Sequence, residues 1–206
     1  ENTINSDTVF YPGGADNNGD VCAWHGVELE TRVGSFIPAA NKSSMQTANS
    51  YLKSKAWMEA LADPGGKNGF KIARHSADPG SEMKGAMNHA MAKGKVQNHK
   101  GGVDVHTDQA FIERAHQQVQ QMQASMFYEG IFNQPDDEAL ACKVWGESGR
   151  RARQNLNNTP LTEEQGHAGI SAIEQLTSKR GQSKEYFDST PAFLAGGWVH
   201  IPKKNR

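Results

Sequence analysis

The chain has 206 residues, 36% of them hydrophobic, which suffices for one core with an extended arm beside it. With 22 Lys and Arg against 23 Asp and Glu the formal charge is −1, a balance that selects no polyanion and sets nucleic acid aside as a partner. No run approaches the roughly 20 apolar residues of a membrane span, and no apolar segment follows a basic start, so membrane insertion is set aside too.

Residues 1–40 read as an extended or β arm. In "VELETRV" (27–33) Val27, Leu29, Thr31 and Val33 alternate with charged residues, the period of a half-buried strand. "YPGGADNNGD" (11–20) before it is turn chemistry. From about residue 43 the period becomes helical, with Met45, Ala48, Leu52, Trp57 and Leu61 on one stripe, until "ADPGG" (62–66) stops it. A second "ADPG" stands at 77–80, a sequence that suits a type II turn, and "GFKIARH" between the two reads as a short strand. Ser81 then caps a helix carrying Met83, Met87 and Met91, closed by Gly94; a methionine stripe of that kind is core filler.

Residues 93–104 read as a polar loop. Thr107 and Asp108 open the longest helix, to about 129, with Phe111, Ala115, Val119, Met122 and Met126 as its apolar stripe. Asp136 and Asp137 cap the next helix, on which Leu140, Val144 and Glu147 share a line. In "TPLTEEQGHAGISAIEQLTSKRG" (159–181) Thr162 and Gln165 form a capping box. The tail, 182–206, reads as a last strand and a frayed end. These elements predict a single domain, mainly α with about five helices around a helical body at 41–181, and a minor β element built from the two ends.

Glu147 stands out because "WGESG" (145–149) sets a carboxylate on the apolar line in a helix's last turn, where the macrodipole disfavours an anion. Burial there would raise its pKa toward that of a general acid, and Gly146 and Gly149 would leave room for a substrate. The alternative is a helix end with Glu147 in water beside Arg150 or Arg151. "LACKVWGESG" (140–149) resembles the catalytic helix of SleB-like cell-wall hydrolases within the lysozyme-like range, and "EQGHAGISAI" (164–173) is similar to their next helix. The resemblance implies a lysozyme-like α+β fold and a peptidoglycan-cleaving glycosidase, of muramidase or lytic-transglycosylase type, with Glu147 protonating the glycosidic oxygen. It further implies the glycan strand as substrate, no cofactor, an immunity or delivery protein as partner, and a secreted or periplasm-acting antibacterial effector or phage-associated enzyme. A second carboxylate would come from Asp104, Asp108, Glu163 or Glu164, about 5–9.5 Å away.

Two other chemistries stay open. Cys22 in "GDVCAWHG" is similar to the nucleophile region of papain-like peptidoglycan amidases. Its base would be His167 or His200, because His25, three residues along a strand, falls on the opposite face. Histidines cluster between 75 and 116, and Asp104, His106 and His116 make an alternative metal set, although no fixed ligand spacing appears and no metal is favoured. Cys22 and Cys142 read as separate thiols, with a disulfide as the alternative. A non-enzymatic structural or interaction protein accounts for the same sequence, with Glu147 a plain helix end.

Overall fold

The computed structural model describes residues 2–11, 13–67, 69–78, 80–100, 106–130, 142–163 and 169–177, for 99, 100, 106–109 and 128–130 the backbone alone. Strand β1 (Thr3–Phe10) pairs antiparallel with β2 (Cys22–Glu28), and β2 pairs antiparallel with β3 (Gly34–Ala39). Helix α1 (Ser44–Ala62) crosses over to β4 (Arg74–Ala77), which lies parallel to β1. A 3-10 turn (Ser81–Met83) and α2 (Ala86–Lys93) lead to β5 (Gln97–Lys100), parallel to β4. Helices α3 (His106–Gly130), α4 (Trp145–Asn158) and α5 (Ala172–Thr177) follow. The sheet has five strands in the order β3-β2-β1-β4-β5. Among the described residues no helix is long and apolar enough to cross a membrane.

The domain is therefore α/β, and the expectation of a mainly α body with a lysozyme-like fold is corrected. What misled is local. The strand expected in "GFKIARH" is found shifted, as β4 starts at Arg74, but "QNHK" stands in the segment read as a polar loop; both are four residues long and polar, with little alternation to read. Their stability comes from parallel pairing to strands far off in sequence. The alternation of 27–33 belongs to no single strand: β2 ends at Glu28, and the chain turns before β3. Glu28 fixes that turn. Its Oε2 accepts from Glu30 N, Thr31 N and Thr31 Oγ1, and its Oε1 from Thr3 N.

Each sheet face has its own core. On one, Ile4 and Trp24 pack with Tyr51 and Met58 of α1, Met87 and Met91 of α2, and Ile173 and Leu176 of α5. On the other, Ala23 and Phe36 pack with Val119 and Met126 of α3 and Trp145 and Ala152 of α4, while Val27 meets Ile112 and Ala115. Successive side chains of β2 thus go to opposite layers, as strand pleating requires. The methionine stripe is core, as read. Helix α1 begins as expected, with Ser43 Oγ accepting from Gln46 N, but its buried face is Ala48, Tyr51 and Met58, and Met45, Leu52 and Trp57 are exposed. The capping box of the last helix is Ser171 with Glu174, each side chain bonding the other's backbone N–H, rather than Thr162 with Gln165. The caps read at Asp136 and Asp137 and the tail strand lie outside the described residues.

His75 on β4 is fully buried beside the Tyr51 ring, with its Nε2 2.8 Å from Ser6 Oγ. Burial pushes its pKa down from 6.5 to about 4, while a hydrogen bond to Asn98 acts in the opposite direction. Below pH 6.5 the unfolded chain takes up a proton that the folded chain refuses, so this contribution to stability is full above about pH 6.5 and is lost toward pH 4. The loss is about 3 kcal/mol. Urea unfolding across this range is expected to show that decline, with His25, likewise held neutral by burial, adding to it in the same direction. His75→Asn is expected to flatten the curve by about 3 kcal/mol, and an unchanged slope would contradict the assignment.

Candidate active site

Strand β1 sits at the centre of the sheet and alternates. Ile4 packs in the α1 layer and Ser6 bonds His75 there, so Asn5, Asp7 and Val9 face α3. Asp7 is half-buried, and Thr8 N donates to its Oδ1 at 2.6 Å. In the parallel pairing Ser6 stands opposite Ala77, so the next residues, Asp7 and Asp78, come side by side, on strands about 4.8 Å apart. Asp78 is exposed, just past the end of β4. Both residues also reach the rim of a small recess on the α1 side, which Trp24, Thr47, Glu82 and Met83 line. Glu82 is already paired, with Lys42 at 2.9 Å.

Two histidines back this carboxylate pair. His25 stands opposite Asp7 on β2, and its ring lies against that of His116 on α3 with centroids 4.9 Å apart. Both histidines are pushed below the usual range chiefly by burial. Arg153 and His116 lower His25 further, while Asp7 pulls His116 back up. A neutral imidazole pair does not cancel the negative charge of the aspartates. Such a pair of hard oxygen donors suits Mg2+, which is held by one or two carboxylates together with substrate phosphates. Among the described residues no group of three or more His, Cys, Asp or Glu converges as a metal site.

The residues singled out from sequence fall elsewhere. Glu147 is in the first turn of α4, where the macrodipole favours an anion, and it is exposed and ion-paired to Arg150. Its neighbours explain the motif. A Cβ on Gly149 would lie 2.4 Å from the Phe36 ring, and one on Gly146 would lie 2.6 Å from Asp16 Oδ2 and 3.0 Å from Pro38. The glycines make room for β3 and the 13–20 loop, not for a substrate, and the buried line runs through Trp145, Ser148, Gly149 and Ala152. Glu147 faces solvent beside Arg150, as the second reading had it, but at the start of a helix and not at its end. Glu163 is exposed, Asp108 lies on α3 with its side chain outside the described residues, and Asp104, Glu164, His167 and His200 lie outside them altogether.

Cys22 is fully buried in β2, its Sγ donates to Ala39 O at 3.4 Å, and burial pushes the thiol pKa up, the reverse of what a nucleophile needs. Cys142 is a second free thiol, accepting from the Tyr11 hydroxyl. In the alternative metal set His116 stacks on His25, while the His106 side chain and Asp104 lie outside the described residues. Asp7 and Asp78 escape sequence reading because one stands in a segment legible only as extended and the other in a turn motif. The available signal was an acid inside a β-rich run, "NSDTV", and another directly after a short strand.

No protein-family model matches the chain, and no curated protein matches it in sequence. Its fold is similar to that of the HTLV-2 integrase catalytic core domain in complex with magnesium, in the trimeric form. The TM-score is 0.57 and the identity 12%, over 85% of this chain and 95% of that one. It is similar too to the catalytic core domain of BIV integrase, with a TM-score of 0.58 and 12% identity over 91% of this chain and 98% of that one. The fold is thus RNase H-like, of the integrase-core kind, and not that of lysozyme-like or SleB-like hydrolases. This overturns the peptidoglycan glycosidase, the antibacterial effector and the glycan partner together, since all three rested on that resemblance. The exclusion of nucleic acid rested on net charge alone and does not stand beside this fold.

The two elements of "WGESG" are separable by mutation. Glu147→Gln is expected to change unfolding stability by less than about 0.5 kcal/mol, as for an exposed ion pair. Gly149→Val is expected to cost about 1–3 kcal/mol, because Phe36 must move. Urea titration of both variants checks this, and a large loss for Glu147→Gln with none for Gly149→Val would reverse the assignment.

Proposed function

We propose that this domain is a divalent-metal-dependent, nucleic-acid-processing catalytic core that acts on phosphodiester bonds, with Asp7 and Asp78 as the metal ligands. The observation that carries the reading is the register of β1 on β4, which ends with Ser6 opposite Ala77 and so brings the backbone of the next residues, Asp7 and Asp78, to neighbouring positions at the end of the pairing. The similarity of the fold to integrase catalytic cores, one of them in complex with magnesium, supports it. Glu113 lies one helical turn before His116 on α3 and is exposed, which makes it the carboxylate of that helix best placed to complete the site from the other side.

When bound, Mg2+ supplies Lewis-acid stabilisation of charge on a phosphoryl oxygen. The chain itself contributes position and field. Strand β1 holds the backbone of Asp7, Thr8 N holds one of its oxygens, and Asp78 directly follows β4. His25 and His116, kept neutral by burial, add no positive charge beside Asp7. Beside them a cavity of about 260 Å3 is lined by Val9, Phe10, Tyr11, Phe127 and Trp145. Phe10 is 56% exposed, and such aromatic faces suit stacking of unpaired bases.

End-labelled DNA incubated with the protein is expected to be cleaved in Mg2+ or Mn2+ and left intact in EDTA. Asp7→Asn and Asp78→Asn are each expected to lower the rate by at least about 10²-fold, the effect of losing several kcal/mol of charge stabilisation. Cleavage that survives chelation, or that both variants retain, would contradict the reading.

A further inference from the structure

A second, larger cavity opens on the other flank of α3, between that helix, α4 and residues 159–162, with a volume of about 620 Å3. Three arginines line it: Arg32 from the β2–β3 turn, Arg114 from α3 and Arg153 from α4. Arg153 is 4% exposed, and its Nε has no hydrogen-bond partner. The Nε of Arg32 is likewise buried and without a partner. Among the described residues none of the three guanidinium groups has a carboxylate within ion-pair distance. Glu28 attracts Arg32, but its oxygens are taken by Thr3, Glu30 and Thr31.

The arginines are held in place. The Arg32 guanidinium lies over the Phe111 ring at 4.4 Å, and Arg153 Nη2 donates to Arg32 O. Asn157 clamps α4 to the start of β3, with Oδ1 accepting from Gly34 N at 2.9 Å and Nδ2 donating to Gly34 O at 2.8 Å. Gly34 leaves the space that the guanidinium end of Arg153 occupies, since a Cβ there would meet Arg153 Nε and Cζ. A buried cation without a counter-charge is costly, and like charges around a shared cavity raise that cost. Burial lowers the pKa of Arg153 to about 10, and burial first, then Arg114, lowers that of Arg32. An anion in the cavity relieves both costs. Guanidinium forks match phosphate oxygens in pairs, and the volume admits a group larger than a single phosphate.

We propose that the cavity lined by Arg32, Arg114 and Arg153 binds a phosphorylated anion, at a site separate from Asp7 and Asp78. The phosphate belongs either to a nucleic-acid backbone or to a free phosphorylated small molecule. Inorganic pyrophosphate is the probe, titrated calorimetrically into the full chain in EDTA so that no divalent ion at the aspartates takes part. Saturable binding is expected, weakened about tenfold or more in Arg114→Ala and in Arg32→Ala, and unchanged in Arg150→Ala, whose guanidinium pairs with Glu147 away from the cavity. Arg114 is exposed on α3, so that variant keeps the fold even if a buried one does not. Pyrophosphate that displaces a labelled DNA duplex from wild type, with duplex binding reduced in Arg114→Ala, identifies the backbone source. Pyrophosphate binding that leaves duplex binding untouched identifies the small molecule. Absence of saturable binding, or equal affinity in wild type and both cavity variants, overturns the proposal, and neither outcome depends on cleavage activity.

Discussion

The pairing of β1 with both of its neighbours is the constraint on which the rest of the domain depends. β1 takes β2 antiparallel on one side and β4 parallel on the other. Because side chains alternate, one residue of slip would send Ile4 out of the α1 layer and Asp7 into it, so the register is fixed by burial on both faces. The bond between Ser6 and His75, made across that pairing, ties the register to a buried neutral imidazole. This register ends with Ser6 opposite Ala77, so Asp7 and Asp78 each follow the last paired residues of the two strands.

The second layer is held by close approach rather than by bulk. Helix α4 comes near β3 because Gly146, Gly149 and Gly34 each lack the Cβ that would strike a neighbour. The Asn157 clamp then makes both backbone hydrogen bonds of Gly34. Trp145 fills the space that remains, 4.9 Å from Tyr11 and 5.6 Å from Phe36 between ring centroids. The same packing sets Arg153 under the β2–β3 turn, where no carboxylate among the described residues pairs with it. Tight packing in one place thus leaves an electrostatic demand in another, and that demand makes the second cavity suited to an anion.

Much of the local structure was legible in the sequence. The start of α1 near residue 43, the buried methionines of α2 and the Ala115, Val119 and Met126 stripe of α3 follow from helical period. A strand near β4 was legible in "GFKIARH", but the fold class was not, because β5 is short and polar and the order of the sheet rests on long-range parallel pairing. The site was not legible either. Asp7 and Asp78 are joined only by the parallel register, which no local pattern encodes. Glu147 drew notice through the glycines around it, and those glycines answer to Phe36, Pro38 and Asp16. An acid in a helix's first turn is ordinary, and the apparent anomaly rested on running one helix through Val144, where a turn stands and a new helix begins at Trp145.

The central claim is that Asp7 and Asp78 together hold a divalent cation. Titration of 15N-labelled protein with Mn2+, followed by amide line broadening, tests it without reference to any substrate. Broadening is expected to begin at Asp7, Thr8, Asp78 and Gly80 and to disappear in Asp7→Asn. Broadening centred on Glu147 or elsewhere, with these amides unaffected, would contradict it.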